Sequence, residues 1–354
     1  MTIDRAAASG SAMGTLSAMG IGMAPGGVLN MDGGVRLLSL GTAGAGSGIY
    51  IAGSMTSFTA IAMAPNASLE VSGNIGTFLV GTVGPGALIS AGGSIGQLKT
   101  TGDLGASITA GLGIGTVTVC SGTLSGAIAT GGGISLITVN GNASVTVRAA
   151  RRLGTFTMGG TGTAPRTLNG LFDCQAITSL NAANTDVNHL TMRAPDGIGT
   201  INVRSMSNSL LSAGAISNLL TSADLSNSMI LCGYDIGADL TFGTADDGAF
   251  IGGAATGSIG VIWVGGNMSG SSVAANIAPG ADGRFGTADD VVLSSSLQGA
   301  ISALMVRGTL TGSANPSEHF GVVAHKTLGF VSAGGKLVPL PALLGNLTVA
   351  ANWR

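Results

Sequence analysis

Apolar and polar positions alternate along this chain in a fixed phrase that returns about every twenty residues. Ile75-Gly76-Thr77-Phe78-Leu79-Val80 is followed by Ile95-Gly96-Gln97-Leu98-Lys99-Thr100 and Ile114-Gly115-Thr116-Val117-Thr118-Val119. Ile134-Ser135-Leu136-Ile137-Thr138-Val139 and Leu153-Gly154-Thr155-Phe156-Thr157-Met158 continue it, with anchors 20, 19, 20 and 19 residues apart. The same anchor reads at Met13, Val35 and Met55 before these, and at Ile177, Ile198, Ile216, Ile259, Ile301, Leu328 and Leu344 after them, fifteen in all. A fixed period of this size is the mark of a solenoid, in which each unit buries its apolar face only by stacking on its neighbours.

Inside the phrase the fourth and sixth positions are apolar and the fifth is free, which is the two-residue period of a strand and not a helical stripe. A second apolar mark follows about thirteen residues after the anchor, at Leu88, Ile108, Ile128 and Val147. Twenty residues punctuated by Gly, Asn and Ser leave no room for a helix in each repeat. The expected fold is therefore all-β: a single-domain parallel β-helix solenoid of about 15 coils over residues 13–354, after a lead-in at 1–12. Coils that drift between eighteen and twenty-four residues, and not a strict eighteen, favour the right-handed form. Stacked ~4.8 Å apart, fifteen coils would span roughly 70 Å. Gly after the anchor is expected at a bend that crowds out a Cβ.

Composition agrees and narrows the partners. Gly supplies 62 of 354 residues, charged residues 8% and aromatics 4%, with a net charge of -2. Few charges and many aliphatics exclude a disordered chain, and Gly follows the coil period instead of every third position, which excludes collagen. Lys and Arg form no stripe, so nucleic acid is not an expected partner. No stretch is long and apolar enough for a spanning helix, and residues 1–30 lack the apolar core of a secretory signal. Cys120, Cys174 and Cys232 form no CxxC and read as small apolar fillers.

Two anchor intervals double in length, Ile216 to Ile259 at 43 residues and Ile259 to Ile301 at 42, and both carry the same insertion, at about 234–247 and 278–290. The shared pattern is Gly-Ala-Asp-x-x-Phe-Gly-Thr-Ala-Asp-Asp. Seven of the sixteen acids of the chain sit in these loops. Clustered Asp side chains and main-chain carbonyls on a Gly-bearing loop suit Ca²⁺, which takes six to eight oxygens in irregular geometry. The candidate ligands are Asp235, Asp239, Asp246 and Asp247 in the first loop, and Asp282, Asp289 and Asp290 in the second. The alternative is a pair of Asx turns in which the same side chains cap local amides and Phe242 or Phe285 tucks onto the coil. Equal phase on successive coils should set the loops side by side. Leu240 stands in the first copy where the second has Gly283, which weakens the expectation of a cation site there.

These coils with their Gly-Thr-Ala-Asp-Asp loops resemble the Gly-rich parallel β-helix regions of large secreted bacterial surface proteins of the adhesin type, a group within the pectin-lyase-like superfold. The resemblance covers residues 13 to 350 as a pattern of period and composition, and the loops carry its more specific part. It implies an extracellular or cell-surface location and a structural, adhesive role. The alternative on the same superfold is a polysaccharide-binding or polysaccharide-cleaving protein.

Little else reads as catalytic. Between residues 34 and 148 the only charged side chains are Arg36, Glu70, Lys99, Asp103 and Arg148, too few for paired carboxylates. Arg148, Arg151, Arg152 and Arg166 could meet an acidic sugar but read first as a solvated edge, and His189, His319 and His325 stand alone. Thr116/Thr118 and Thr155/Thr157 do not extend into a regular Thr ladder, because Leu79, Lys99 and Leu220 occupy equivalent positions. Both chain ends are in phrase, Met13-Gly14-Thr15-Leu16 and Leu344-Gly345-Asn346-Leu347-Thr348-Val349, without a polar cap. This leads to the expectation of end-to-end self-association into fibres or of neighbouring domains in a longer chain.

Overall fold

The computed structural model describes residues 13–18, 22–160, 162–250, 255–313, 315 and 318–351; the lead-in at 1–12 lies outside them. The chain divides into two compact units, 1–162 and 163–354. Among the described residues every regular element is a strand and no helix forms. Each unit is a parallel β-solenoid.

In the first unit the anchors stack in one register, Met13, Val35, Met55, Ile75, Ile95, Ile114, Ile134 and Leu153, each paired in parallel with the next. Anchor, fourth and sixth positions point inward: Ile75, Phe78 and Val80 are buried, as are Ile114, Val117 and Val119. Each buried aliphatic of this kind contributes about 2 kcal/mol, and Phe58 stacks on Phe78 with ring centroids 5.2 Å apart. The second face carries the column Leu29, Ile49, Leu69, Ile89, Ile108, Ile128 and Val147. Ile89, and not Leu88, is the inward member, since Leu88 pairs with Ser107 on the outer side. The sequence offered two adjacent aliphatics there, and register decides between them.

The second position of the phrase drops out of the pairing, so the strand bends beneath it. A Cβ on Gly76 would lie 2.5 Å from the Thr56 carbonyl oxygen of the preceding coil, so close approach of backbone, not left-handed φ, is what Gly provides here. Left-handed backbone is needed at another corner, where Gly46, Asn66 and Gly86 share φ values of 64°, 58° and 72°. Corner amides are satisfied by the coil below: Asn74 Oδ1 accepts from Ser94 N–H at 2.7 Å and Asp103 Oδ1 from Thr123 N–H at 2.7 Å. The lone acid Asp103 is thus a corner cap.

In the second unit the anchor column is Ile177, Ile198, Ile216, Ile259, Ile301 and Leu328. Leu211, Ile230, Val273, Val322 and Val349 stack on the second face. Among the described residues closed turns number about 11, fewer than the fifteen anchors imply. One reason is Leu344, which closes no turn: Ala342–Leu344 pairs antiparallel with Leu347–Ala351. A second antiparallel contact joins Ser332–Ala333 to Lys336–Leu337. The segment that reads as a last coil in phrase is therefore a hairpin whose second strand pairs in parallel with Phe320–Ala324. No helix of the described residues is long and apolar enough to cross a membrane.

Candidate functional site: two paired aspartate hairpins

Both insertions fold as hairpins closed by two-residue antiparallel ladders, Tyr234–Asp235 with Gly248–Ala249, and Ile277–Ala278 with Val291–Val292. The loops between them are near copies. Asp239 Oδ1 accepts from Thr241 N–H at 2.9 Å, and Asp282 Oδ1 from Arg284 N–H at 2.9 Å. Gly243 N–H donates to Asp247 Oδ2 at 2.6 Å, and Gly286 N–H to Asp290 Oδ2 at 2.7 Å. Leu240 and Gly283 hold the same left-handed turn, at φ 60° and 68°. The first copy tolerates Leu because its side chain enters a small core, so the substitution leaves the turn intact.

A threonine hydroxyl sits at the centre of each loop. Thr244 Oγ1 lies 2.8 Å from Asp246 Oδ1, 3.3 Å from Asp247 Oδ1 and 3.1 Å from the Thr241 carbonyl oxygen. Thr287 Oγ1 lies 2.7 Å from Asp289 Oδ1, 3.3 Å from Asp290 Oδ1 and 3.4 Å from Asp282 Oδ1. One hydroxyl donates one proton, so in each loop it can serve only one of the oxygens around it at a time. In the first loop, carboxylate oxygens of Asp239, Asp246 and Asp247 all fall within 4.8 Å of one another. That is the loop whose cation site the sequence placed in more doubt. Asp235 stands apart from the triad, in a two-pronged ion pair with Arg193 at 2.6 and 2.8 Å.

Local donors tune the acids differently. The Thr244 hydroxyl and the Ala238 amide hold Asp246 below the ordinary aspartate range, and Thr287 with the Asp282 amide does the same for Asp289. Asp290 moves the other way. It is 7% exposed, and burial lifts it to about 6 against the bonds from Gly286 and Thr287, with the Asp289 and Asp282 charges adding to the rise. Its counterpart Asp247 accepts from the Tyr234 hydroxyl at 2.7 Å, whereas the second hairpin has Ile277 at that position. Burial and the Asp247 charge raise the Tyr234 phenol, keeping it a donor.

The hairpins lie side by side, as their shared phase predicts. Tyr234 contacts Phe242 at 5.5 Å and Phe242 contacts Phe285 at 5.8 Å between centroids. Phe285, Leu240, Ile236 and Ile277 belong to one buried cluster with Leu231 and Val323 of the coils. Tyr234 and the two threonines were not singled out in the sequence, although aligning the insertions 43 residues apart exposes both threonines. The histidines His319 and His325 are held by their neighbours. His325 Nδ1 accepts from Asn276 Nδ2 at 2.8 Å, and burial followed by the Lys326 charge holds it below the usual histidine value. His319 Nε2 contacts Thr348 Oγ1 at 2.9 Å and the Gly286 carbonyl at 3.1 Å. Cys174 and Cys232 are buried, the thiol of the latter pushed up by burial, and Cys120 is half-buried. Arg148, Arg151 and Arg152 are exposed and Arg166 half-buried.

Fold and site together define a parallel β-solenoid that carries two paired, aspartate-lined hairpins. Compared with protein-family models, curated proteins and solved structures, the chain matches none.

Proposed function

We propose that this chain is a structural, adhesive β-solenoid of an extracellular or cell-surface protein, of the secreted bacterial adhesin type, whose two hairpins each take Ca²⁺. The observation that carries the reading is the convergence of Asp239, Asp246 and Asp247 within 4.8 Å on a loop that the coil period does not require. Three carboxylates held that close repel one another, and a divalent cation removes the repulsion while accepting the carbonyl and hydroxyl oxygens already nearby. Asp239, Asp246 and Asp247 would hold one ion with Thr241 O, and Asp282, Asp289 and Asp290 the other. Asp235 leaves the ligand set, because Arg193 already neutralises it. Exposed loops of this kind fit the 10⁻⁴–10⁻³ M affinities of extracellular calcium modules. The structural half of the reading draws support from the charged groups that serve the coils, as Asp103 and Asp224 do by capping Thr123 N–H and Asn267 N–H.

Thermal unfolding with 5 mM Ca²⁺ and with chelator tests it. The midpoint should rise with calcium and fall back when Asp239 and Asp282 are both changed to Asn. An unchanged midpoint removes the calcium reading.

A further inference from the structure

The second face of the first unit carries a groove of about 460 Å³ in which aromatic and acidic groups meet. Asn30, Tyr50 and Glu70 occupy one outward column in strict register on successive coils. Coil spacing places these side chains ~4.8 Å apart. Ser90 continues the column, and Ser72 and Asp32 line the groove beside it. No Lys, Arg or His lines it.

Tyr50 is the unusual member. A Cβ built on Gly48 would meet Tyr50 Cε2 at 2.6 Å, its hydroxyl oxygen at 2.9 Å and Cζ at 3.0 Å. The ring therefore folds back over Gly48 and lies against the sheet, which only the missing Cβ permits. Yet the residue is 41% exposed. The ring covers a glycine and leaves part of its surface open to solvent. Asp32 and Glu70 enter no ion pair among the described residues.

A tyrosine face attracts cations through the ring quadrupole, and flanking carboxylates without a competing base add a Coulombic pull of the same sign. An inorganic cation would keep its water in so open a groove, whereas an organic ammonium group brings C–H surface to lay on the ring. We infer that this groove is a binding site for organic ammonium groups, with the Tyr50 ring as platform and Glu70 and Asp32 as counter-charges. It is independent of the aspartate hairpins, which lie in the other unit.

The test uses the full chain with ¹³C-labelled tyrosine rings, in which the buried Tyr234 serves as internal reference. Tetramethylammonium should shift the Tyr50 ring resonances saturably and leave Tyr234 unmoved, and the neutral tert-butanol should not. Glu70→Gln, a surface change that leaves the coils intact, should weaken binding about threefold, and raising NaCl from 20 to 300 mM should weaken it further. Titration with glucosamine beside n-butylammonium tells whether the amine is better presented on a sugar ring or an alkyl chain, and saturable binding of either supports the site. The inference is overturned if Tyr50 does not move with any of these amines, or if tert-butanol moves it equally, or if Glu70→Gln has no effect.

Discussion

The two hairpins share nine of the eleven positions of their phrase and the amide bonds to its first and last aspartates, yet those last aspartates meet different neighbours. Asp247 accepts a hydrogen bond from a phenol, whereas Asp290, in the hairpin that has Ile277 in place of that tyrosine, is more buried and has its carboxyl lifted to about 6. One repeated phrase therefore gives one anion braced by a hydrogen bond and one opposed by its surroundings. The difference arises outside the phrase, at the residue where each hairpin begins. It implies that the second hairpin gains more than the first from a cation that neutralises it.

The largest expected effect breaks both hairpins at once. Phe285 is 2% exposed and joins the loops through Phe242, so Phe285→Ala should cost about 3 kcal/mol in denaturant unfolding. Amide exchange should quicken in both loops, and protection retained in the first would show that they stand independently.

Asp290→Asn sharpens the contrast by sign. An acid whose folded value is raised stabilises below its unfolded value near 3.8 and loses that contribution as pH rises through about 6. With chelator present, the native protein should thus lose stability relative to Asp290→Asn between pH 4 and 6, and the variant should be more stable by about 2 kcal/mol at pH 7. Urea melts across that range report it, and a variant less stable at pH 7 would refute the assignment.

Tyr234→Phe removes the brace in the first hairpin alone and should cost about 1 kcal/mol, with the second hairpin's exchange rates unmoved. Asp235→Asn, which opens the ion pair with Arg193 at a partly exposed site, should cost about 0.5 kcal/mol or less. If it also weakened calcium binding severalfold, Asp235 would return to the ligand set.

Much of this was legible in the sequence, for identifiable reasons. The anchors Met13 to Leu153 in the first unit, and Ile177 to Leu328 in the second, stack as the period predicts, because a repeat of fixed length with inward aliphatics admits one register. The period fails at Leu344-Gly345-Asn346-Leu347, where the same residue types make a tight antiparallel turn, with Gly345 at φ 66°. Leu88 misled because alternation across Pro85 and Gly86 is interrupted, and pairing with the neighbouring coil selects Ile89. The aspartate clusters were visible as a repeated phrase, but Asp235 belongs to Arg193, 42 residues away, and Asp247 to Tyr234. The second partner appears only when the hairpin closes, and the first only when the coils are laid one upon another. The same holds for Tyr50, whose neighbours Asn30 and Glu70 are each twenty residues distant.

The ¹³C carboxyl titration of Asp290, with and without calcium, reads the state of the second hairpin at the acid itself. The midpoint should lie near 6 with chelator and fall well below the ordinary aspartate value once calcium is bound. A midpoint near 4 under both conditions would contradict that expectation.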